Sequence, residues 1–164
     1  MSNLPQLRVL IVGSVIALAI AACSTGTATP SPAAATSSPA GAQATTIQVN
    51  VQEWSVLPAS DSTAAGNVTF QVTNTGPEDV HEFVILKTDL DPGALPTDET
   101  GAVTEDGGGI DLLGEIEDIA VGATAELTVP LAAGKYVLLC NIYDETEQEA
   151  HFKLGMRTGF TVTE

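Results

Sequence analysis

The chain has 164 residues, of which 44% are hydrophobic and 4% aromatic, and its 21 acidic and 5 basic side chains give a formal net charge of −16. A surface this acidic repels phosphate backbones, which excludes nucleic acid as a partner and favours a basic protein surface or a cationic ligand. We interpret the bulk of this charge more simply, as what keeps an exported protein soluble.

The N-terminus has the features of an export signal. Arg8 supplies a positive charge, residues 9–19 are almost wholly apolar, and Ile20-Ala21-Ala22-Cys23 ends the run with small residues. This ending resembles the lipobox of bacterial lipoproteins, which implies a signal peptide over residues 1–22 and lipid attached to the sulfur of Cys23. An uncleaved transmembrane helix is the alternative, but the apolar run is shorter than the roughly 20 residues that a span needs.

Residues 23–45 are predicted to form a flexible linker behind the lipid anchor. From Ser24 to Thr46 the chain consists of Ser, Thr, Ala, Pro, Gly and Gln, with no charged or aromatic residue. Such a segment cannot bury enough apolar surface to offset its ordering entropy. Residues 46–164 have the length of one domain, which we expect to be held by the anchor at the outer face of the cytoplasmic membrane or elsewhere in the cell envelope.

Six segments of this domain have the patterning of β-strands. Ile47–Gln52 and Val68–Thr73 alternate strictly between apolar and polar residues, and Val80–Leu86 is rich in β-branched and aromatic residues. The other three are Ala125–Val129, Tyr136–Cys140 and Gly159–Thr163. Turn residues such as Asn74-Thr75-Gly76-Pro77 separate the strands. The sequence therefore predicts an all-β fold, an antiparallel β-sandwich with Greek-key connections.

The segment Thr88–Asp118 interrupts this rhythm. It holds ten acidic residues and no basic one, together with two prolines and a run of three glycines. We interpret it as a solvated surface excursion, with a candidate short helix near Leu112–Ile116. Its carboxylates are also candidate calcium ligands, although their spacing does not follow an EF-hand loop. These carboxylates belong to Asp89, Asp91, Glu105, Asp106 and Asp111.

Four side chains of the domain have the chemistry of copper ligands: His81, Cys140, His151 and Met156. Two imidazoles, a thiolate and a thioether are the donors that hold copper in both its Cu(II) and Cu(I) states. Taken singly, each has an ordinary alternative: an inert buried thiol, a core histidine, a surface histidine, or a methionine that fills the core. Taken together they predict a copper site, since the chain has only two histidines and an exported protein seldom keeps an unpaired thiol.

A longer pattern surrounds these four residues. Its parts are Val72-Thr73-Asn74-Thr75-Gly76, His81-Glu82-Phe83-Val84, Leu131 to Cys140, His151, Gly155-Met156 and Gly159-Phe160-Thr161-Val162. The pattern resembles the cupredoxin, or type 1 blue copper, family, and in particular its plastocyanin-like and sulfocyanin-like members. The resemblance implies a cupredoxin-like Greek-key sandwich with one copper ion, in which His81 ends an interior strand and the other three ligands lie between the last two strands. It also implies single-electron transfer between redox protein partners, without substrate chemistry.

Two features depart from the family pattern. Ten residues, Asn141–Ala150, separate Cys140 from His151, where the family usually has only a few. This longer loop either bulges outward and leaves the ligands in place, or shifts the imidazole and alters the copper geometry. The second departure is Glu82, beside the first histidine, where many members carry a neutral residue.

The long loop is also the candidate docking surface for a redox partner. In the family the histidine on this loop commonly lies at the solvent edge, so the resemblance implies that the electron passes through His151. Four carboxylates of the loop would then surround it and attract a basic partner. These are Asp144, Glu145, Glu147 and Glu149. The alternative is a solvated acidic loop with no partner.

Function is therefore predicted as a membrane-anchored electron carrier with one type 1 copper ion. Three other hypotheses stay open. The first is a lipoprotein that buffers or delivers copper, against which counts the absence of Met-rich or His-rich tracts. The second is a copper enzyme domain, which needs more histidines than this chain has. The third is a metal-free sandwich that binds a partner protein.

Overall fold

The computed structural model describes residues 44–164. The predicted signal peptide 1–22, the lipidation site Cys23 and all but the last two residues of the predicted linker lie outside the described residues. Within residues 44–164, no helix has the length and apolar character required to cross a bilayer.

Strands make up most of the described chain, with one short 3-10 turn over Pro92–Ala94 and one helical turn, α1, over His151–Leu154. In chain order the strands are β1 (Thr45–Gln52), β2 (Ser55–Pro58), β3 (Ser62–Ala64), β4 (Gly66–Asn74), β5 (His81–Lys87), β6 (Asp106–Gly107), β7 (Ile110–Ile119), β8 (Thr124–Leu131), β9 (Gly134–Leu139), β10 (Tyr143–Asp144), β11 (Glu149–Ala150) and β12 (Arg157–Thr163).

The strands form two packed sheets. One has the order β2-β1-β4-β8 and the other the order β3-β12-β9-β5-β7-β6, while β10 and β11 pair only with each other. Pairing is antiparallel except between β1 and β4 and between β12 and β3, which are parallel. The predicted all-β sandwich is confirmed, and these two parallel pairs refine its topology.

Strand β4 illustrates why the alternating segments become strands. Val68, Phe70 and Val72 point to one face and are fully buried in the core between the sheets. The residues between them face outward and pair with β8, as in the 2.8 Å hydrogen bond between the hydroxyls of Thr69 and Thr128. A period of two in hydrophobicity therefore places one face in the core and leaves the other in solvent.

Strand β5 is buried on both faces. Phe83 and Ile85 lie in the core between the two sheets, whereas Val84 and Leu86 belong to a second apolar cluster on the outer face. That second cluster is completed by residues that come from the acidic segment, namely Leu95, Val103 and Ile110. This explains why Phe83–Leu86 is continuously apolar instead of alternating.

Part of the expectation for the acidic segment is wrong. The candidate helix at Leu112–Ile116 lies inside the ten-residue strand β7, which pairs with β5 from His81 to Lys87 through two irregularities. Leu and Glu favour helices locally, but the free edge of β5 and the apolar cover over it decide the outcome. The segment is therefore not only a solvated excursion, because it supplies most of strand β7 and three buried apolar side chains.

Candidate metal centre

Strands β5 and β9 bring His81 and Cys140 to the same end of the sandwich. They pair antiparallel from Val84–Leu139 to Lys87–Tyr136, so the start of β5 lies beside the residue that follows β9. Both side chains have an exposed fraction of 0%. The backbone N–H of Glu82 donates to the sulfur of Cys140 over 3.3 Å, which ties the two strand ends together.

The ten residues between Cys140 and His151 fold outward as a small hairpin. Tyr143 pairs with Ala150, and the backbone N–H of His151 donates to the carbonyl of Ile142 over 2.9 Å. The two ends of the insertion therefore meet, which brings His151 back beside the chain that leaves Cys140. Of the two outcomes considered for the long loop, the structure has the outward bulge.

Met156 follows the helical turn that carries His151. The backbone N–H of Met156 donates to the carbonyl of His151 over 3.1 Å, and the carbonyl of Met156 accepts from the N–H of Cys140 over 3.0 Å. The side chain is fully buried and belongs to the same core cluster as Cys140. Backbone hydrogen bonds therefore link the fourth predicted ligand to Cys140 and to His151.

Three donor atoms converge in this pocket. The Nδ1 atoms of His81 and His151 are 3.2 Å apart, and the sulfur of Cys140 lies 4.0 Å from the first and 3.4 Å from the second. Within residues 44–164, and apart from the undescribed side chain of Asp106, these are the only three His, Cys, Asp or Glu residues whose ligand atoms gather within 4.8 Å. One ion with bonds of roughly 2.0–2.3 Å can reach all three atoms.

The chemistry of this donor set fits copper. Two imidazole nitrogens and one sulfur are a ligand set that suits copper in both oxidation states, whereas calcium and magnesium prefer oxygen. Of the five carboxylates considered as calcium ligands, the four whose side chains are described, those of Asp89, Asp91, Glu105 and Asp111, form no such group. Glu105, for example, accepts a hydrogen bond from the side chain of Asn141 over 2.8 Å.

Burial favours the neutral form of both imidazoles in the metal-free protein. It lowers the pKa of His81 and of His151, and for His81 the charge of the second histidine lowers it further. Nearby carboxylates offset part of this effect in both cases. A neutral imidazole has a free lone pair for a metal, so this electrostatic setting favours coordination.

Burial also raises the pKa of the Cys140 thiol to about 12. Hydrogen bonds from the N–H groups of Glu82 and Ile142 act in the opposite direction, and the carboxylate of Glu82 adds to the rise. The thiol is therefore protonated at neutral pH in the metal-free protein. Loss of this proton must accompany any metal binding through sulfur.

Glu82, the second departure from the family pattern, connects the strand of His81 to the loop of Cys140. Its Oε1 accepts from the backbone N–H of Asn141 over 2.6 Å. Burial raises the pKa of this carboxyl to about 7, and the charges of nearby glutamates add to the rise while the Asn141 hydrogen bond opposes it. Glu82 thus holds the backbone directly after the sulfur ligand.

His151 is more buried than the sequence suggested, with an exposed fraction of 3%. It nevertheless lines a surface cleft of about 530 Å³. Of the four predicted docking carboxylates, only that of Asp144 lines this cleft, whereas Glu145 and Glu147 are exposed in the hairpin and Glu149 is half-buried. The other acidic residues of the cleft, which sequence reasoning missed, are Glu78, Asp79 and Asp118.

Sequence reasoning also missed two residues behind the histidines. The Oε1 of Glu53 lies 3.8 Å from the Nε2 of His81, and the Trp54 ring contacts the ring of His151 with centroids 5.1 Å apart. Burial raises the pKa of Glu53, but hydrogen bonds from backbone N–H groups, among them those of Asp79 and Glu78, together with the charge of His81 outweigh it, so the pKa is lowered overall. These residues follow β1 directly and carry no motif that could have marked them.

Comparison with known proteins supports the architecture. No protein-family model matches the sequence, and no curated protein does. Among solved structures, dithionite-reduced auracyanin from the photosynthetic bacterium Roseiflexus castenholzii is 22% identical with a TM-score of 0.52, over 74% of this chain and 98% of that one. Auracyanin B is 19% identical with a TM-score of 0.51, over 74% of this chain and 90% of that one. At these identities the likeness establishes the fold, and the predicted cupredoxin-like β-sandwich is confirmed.

Proposed function

We propose that this protein is a membrane-anchored type 1 blue copper protein that carries single electrons between redox partners and has no substrate chemistry of its own. The observation that supports the proposal is the convergence of His81, Cys140 and His151, all buried, with Met156 beside them. When bound in such a set, copper supplies a one-electron couple between Cu(II) and Cu(I).

The protein's own contribution is a rigid set of donors. His81 and Cys140 are fixed by the pairing of β5 with β9, and His151 by its hydrogen bond to Ile142. Met156 is fully buried in the core, where the apolar surroundings exclude water. Donors that need not move between oxidation states keep the reorganisation on electron transfer small.

Titration of the purified metal-free protein with Cu(II) tests the proposal. We expect an intense visible thiolate-to-copper absorption band at one equivalent, and reversible loss and recovery of that band on reduction and reoxidation. Cys140→Ser should abolish the band, because its hydroxyl cannot replace the thiolate. Cys23→Ser is the matched control, and it should keep the band while it abolishes lipid attachment.

Other outcomes would identify another function. Tight binding of Cu(I) that is passed on without reversible cycling would favour copper buffering or delivery. Absence of any metal binding, with the fold intact, would leave a metal-free interaction domain. Absence of lipid on Cys23 in wild-type protein extracted from membranes, determined from its mass, would contradict the lipid anchor and leave the copper assignment unaffected.

We further propose that the redox partner docks over His151 with a basic surface. The cleft beside this histidine is lined by the carboxylates of Glu78, Asp79, Asp118 and Asp144, and the described part of the chain brings no Lys or Arg to it. Field lines from such a rim attract cationic groups and increase the rate of encounter, an effect that salt screens.

Small redox probes of opposite charge test the docking proposal. Tris(1,10-phenanthroline)cobalt(III), a cationic oxidant, should oxidise the reduced protein in a reaction that slows as salt is raised, whereas the anionic oxidant ferricyanide should show the opposite salt dependence. Asp118→Asn removes one charge from the cleft, and Asn is suited to the left-handed backbone at this position (φ 52°). Asp89→Asn, which lies in clefts lined by Lys135 instead, is the control. Equal effects of the two substitutions would contradict a docking site at His151.

A further inference from the structure

The reversal between β1 and β2 lies directly behind both imidazoles. Each of its two residues contacts one histidine. The Oε1 of Glu53 lies 3.8 Å from the Nε2 of His81, and the ring of Trp54 packs edge-on against that of His151 with an interplanar angle of 68°. The backbone of this reversal also contacts the turn after His151. A Cβ at Gly155, whose φ is 126°, would lie 3.0 Å from the carbonyl oxygen of Trp54.

Hydrogen bonds from the backbone hold the carboxylate of Glu53 in place. Its Oε1 accepts hydrogen bonds from the backbone N–H groups of Asp79 at 2.8 Å and Glu78 at 3.2 Å. Gly76 gives it room, because a Cβ there would lie 2.3 Å from Oε2. The buried side chain of Asn74 shapes this turn, and its amide donates to the carbonyls of Asp79 and Ile119. The carboxylate of Glu53 is therefore fixed by the surrounding backbone, unlike that of a mobile surface side chain.

Two buried polar atoms face this contact without a hydrogen bond. They are the Nε2 of His81 and the Oε2 of Glu53, and among the described side chains of residues 44–164, which exclude that of Asp106, they are the only buried nitrogen or oxygen atoms in that condition. The Nδ1 of His81 points to Cys140 and His151. A neutral imidazole that offers Nδ1 to a metal must carry its proton on Nε2, which here faces a carboxylate.

We infer that Glu53 is a positioning residue for His81: its carboxylate attracts the Nε2 proton, fixes the tautomer with Nδ1 free for the metal, and adds a negative charge that favours Cu(II) over Cu(I). This inference rests on the proposed copper function. Carboxylate partners of ligating histidines orient the ring and raise its basicity, and their loss commonly changes metal affinity by about 10–100-fold.

The first test separates the charge from the hydrogen-bond geometry. Glu53→Gln keeps an oxygen that can accept from Asp79 and Glu78 but removes the charge. We expect the affinity for Cu(II) relative to Cu(I) to fall about tenfold, which corresponds to a rise in the reduction potential of about 59 mV. Glu99→Gln makes the same chemical change at an exposed side chain outside the cleft and the metal centre, and should change the potential by far less. Equal potentials for wild type and Glu53→Gln would overturn the inference.

The second test needs no metal. The ¹⁵N shifts of the His81 ring in the metal-free protein report which nitrogen carries the proton. We expect the Nε2–H tautomer in the wild type and a redistribution of the proton in Glu53→Ala, which loses the acceptor. Gly76→Ala should act in the same direction, because its methyl group displaces the carboxylate without removing its charge.

The two levels of the proposal fail in distinguishable ways. If the wild type forms no thiolate-to-copper band, the copper function fails, whereas the ring shifts still test the contact between Glu53 and His81. If the band forms but the His81 tautomer is the same in the wild type, Glu53→Ala and Gly76→Ala, the positioning role is wrong and the copper function stands.

Discussion

The two acidic departures from regular strand patterning, residues 88–118 and Asn141–Ala150, are built in different ways. The longer one supplies β7 and buries Leu95, Val103 and Ile110 against the outer face of the six-stranded sheet. The shorter one forms an isolated two-stranded hairpin, of which only Ala150 is buried. The comparison teaches that acidic content does not decide whether a segment is structural, since a few apolar residues spaced to reach a sheet face are enough.

The two regions meet at Asn141. Its side-chain oxygen accepts from the N–H of Val103 at 2.5 Å, and its amide donates to the carbonyl of Val103 at 3.0 Å. Residues 88–118 thus fix the base of the hairpin through Val103. Because that base lies between Cys140 and His151, a segment far from the donors in sequence supports the loop that carries one of them.

Loss of a buried apolar side chain in the longer segment should lower the free energy of unfolding more than any other change considered below. Ile110→Ala removes a side chain that is 4% exposed, and we expect the free energy of unfolding to fall by about 2–5 kcal/mol. Leu112→Ala is the control in the same strand, where the side chain is 41% exposed and the expected change is below about 1 kcal/mol. Urea unfolding of the metal-free protein measures both. Equal changes would show that the segment is not part of the core.

Removal of the bridge between the two regions should have an intermediate effect. Asn141→Ala leaves the N–H and the carbonyl of Val103 without their partner, at a cost of about 1–3 kcal/mol. Asn67→Ala, at an exposed position of β4, should change the stability by less than about 0.5 kcal/mol. Urea unfolding measures both changes. If Asn141→Ala lowers the stability as little as Asn67→Ala does, other contacts hold the base of the hairpin.

The sequence predicted what depends on local periodicity and on rare chemistry. Alternation located β1 and β4, and the scarcity of histidine and cysteine pointed to the donors that the structure brings together. It misassigned Leu112–Ile116 because local helix propensity says nothing about the edge of β5, which pairs with that segment. Whether the long loop would shift His151 was also open, since that depends on whether the two ends of the insertion meet.

Glu53 shows the other limit of sequence reasoning. It lies 28 positions before His81, in a two-residue reversal without a motif, and only the register of β1 and β2 brings it to the imidazole. A lone carboxylate at the end of a strand reads as an ordinary solvated charge. Its role is visible only when its distances to the ring and to the backbone donors are known.

The smallest expected effect concerns two matching turns, one in each region. Asp98 accepts from the N–H groups of Thr100 and Gly101, and Asp144 accepts from those of Thr146 and Glu147. The side-chain hydrogen bond from Thr100 is the main cause that lowers the pKa of Asp98, and backbone hydrogen bonds lower that of Asp144. A carboxyl whose folded-state pKa is lowered stabilises its turn above its usual pKa of 3.8, and this contribution is lost as the pH falls through the lower value.

Acidification should therefore loosen both turns, but not equally. The turn at Asp98 is backed by the bridge between Thr97 and Val103 and by the burial of Val103, whereas β10 and β11 pair only with each other. Amide exchange, expressed as protection factors, should fall more at Thr146 than at Thr100 below pH 3.8. Asp144→Asn should remove the pH response at Thr146 and leave that at Thr100 unchanged. Equal loss of protection at both amides would mean that the hairpin is as firmly attached as the acidic segment, and would contradict the contrast between them.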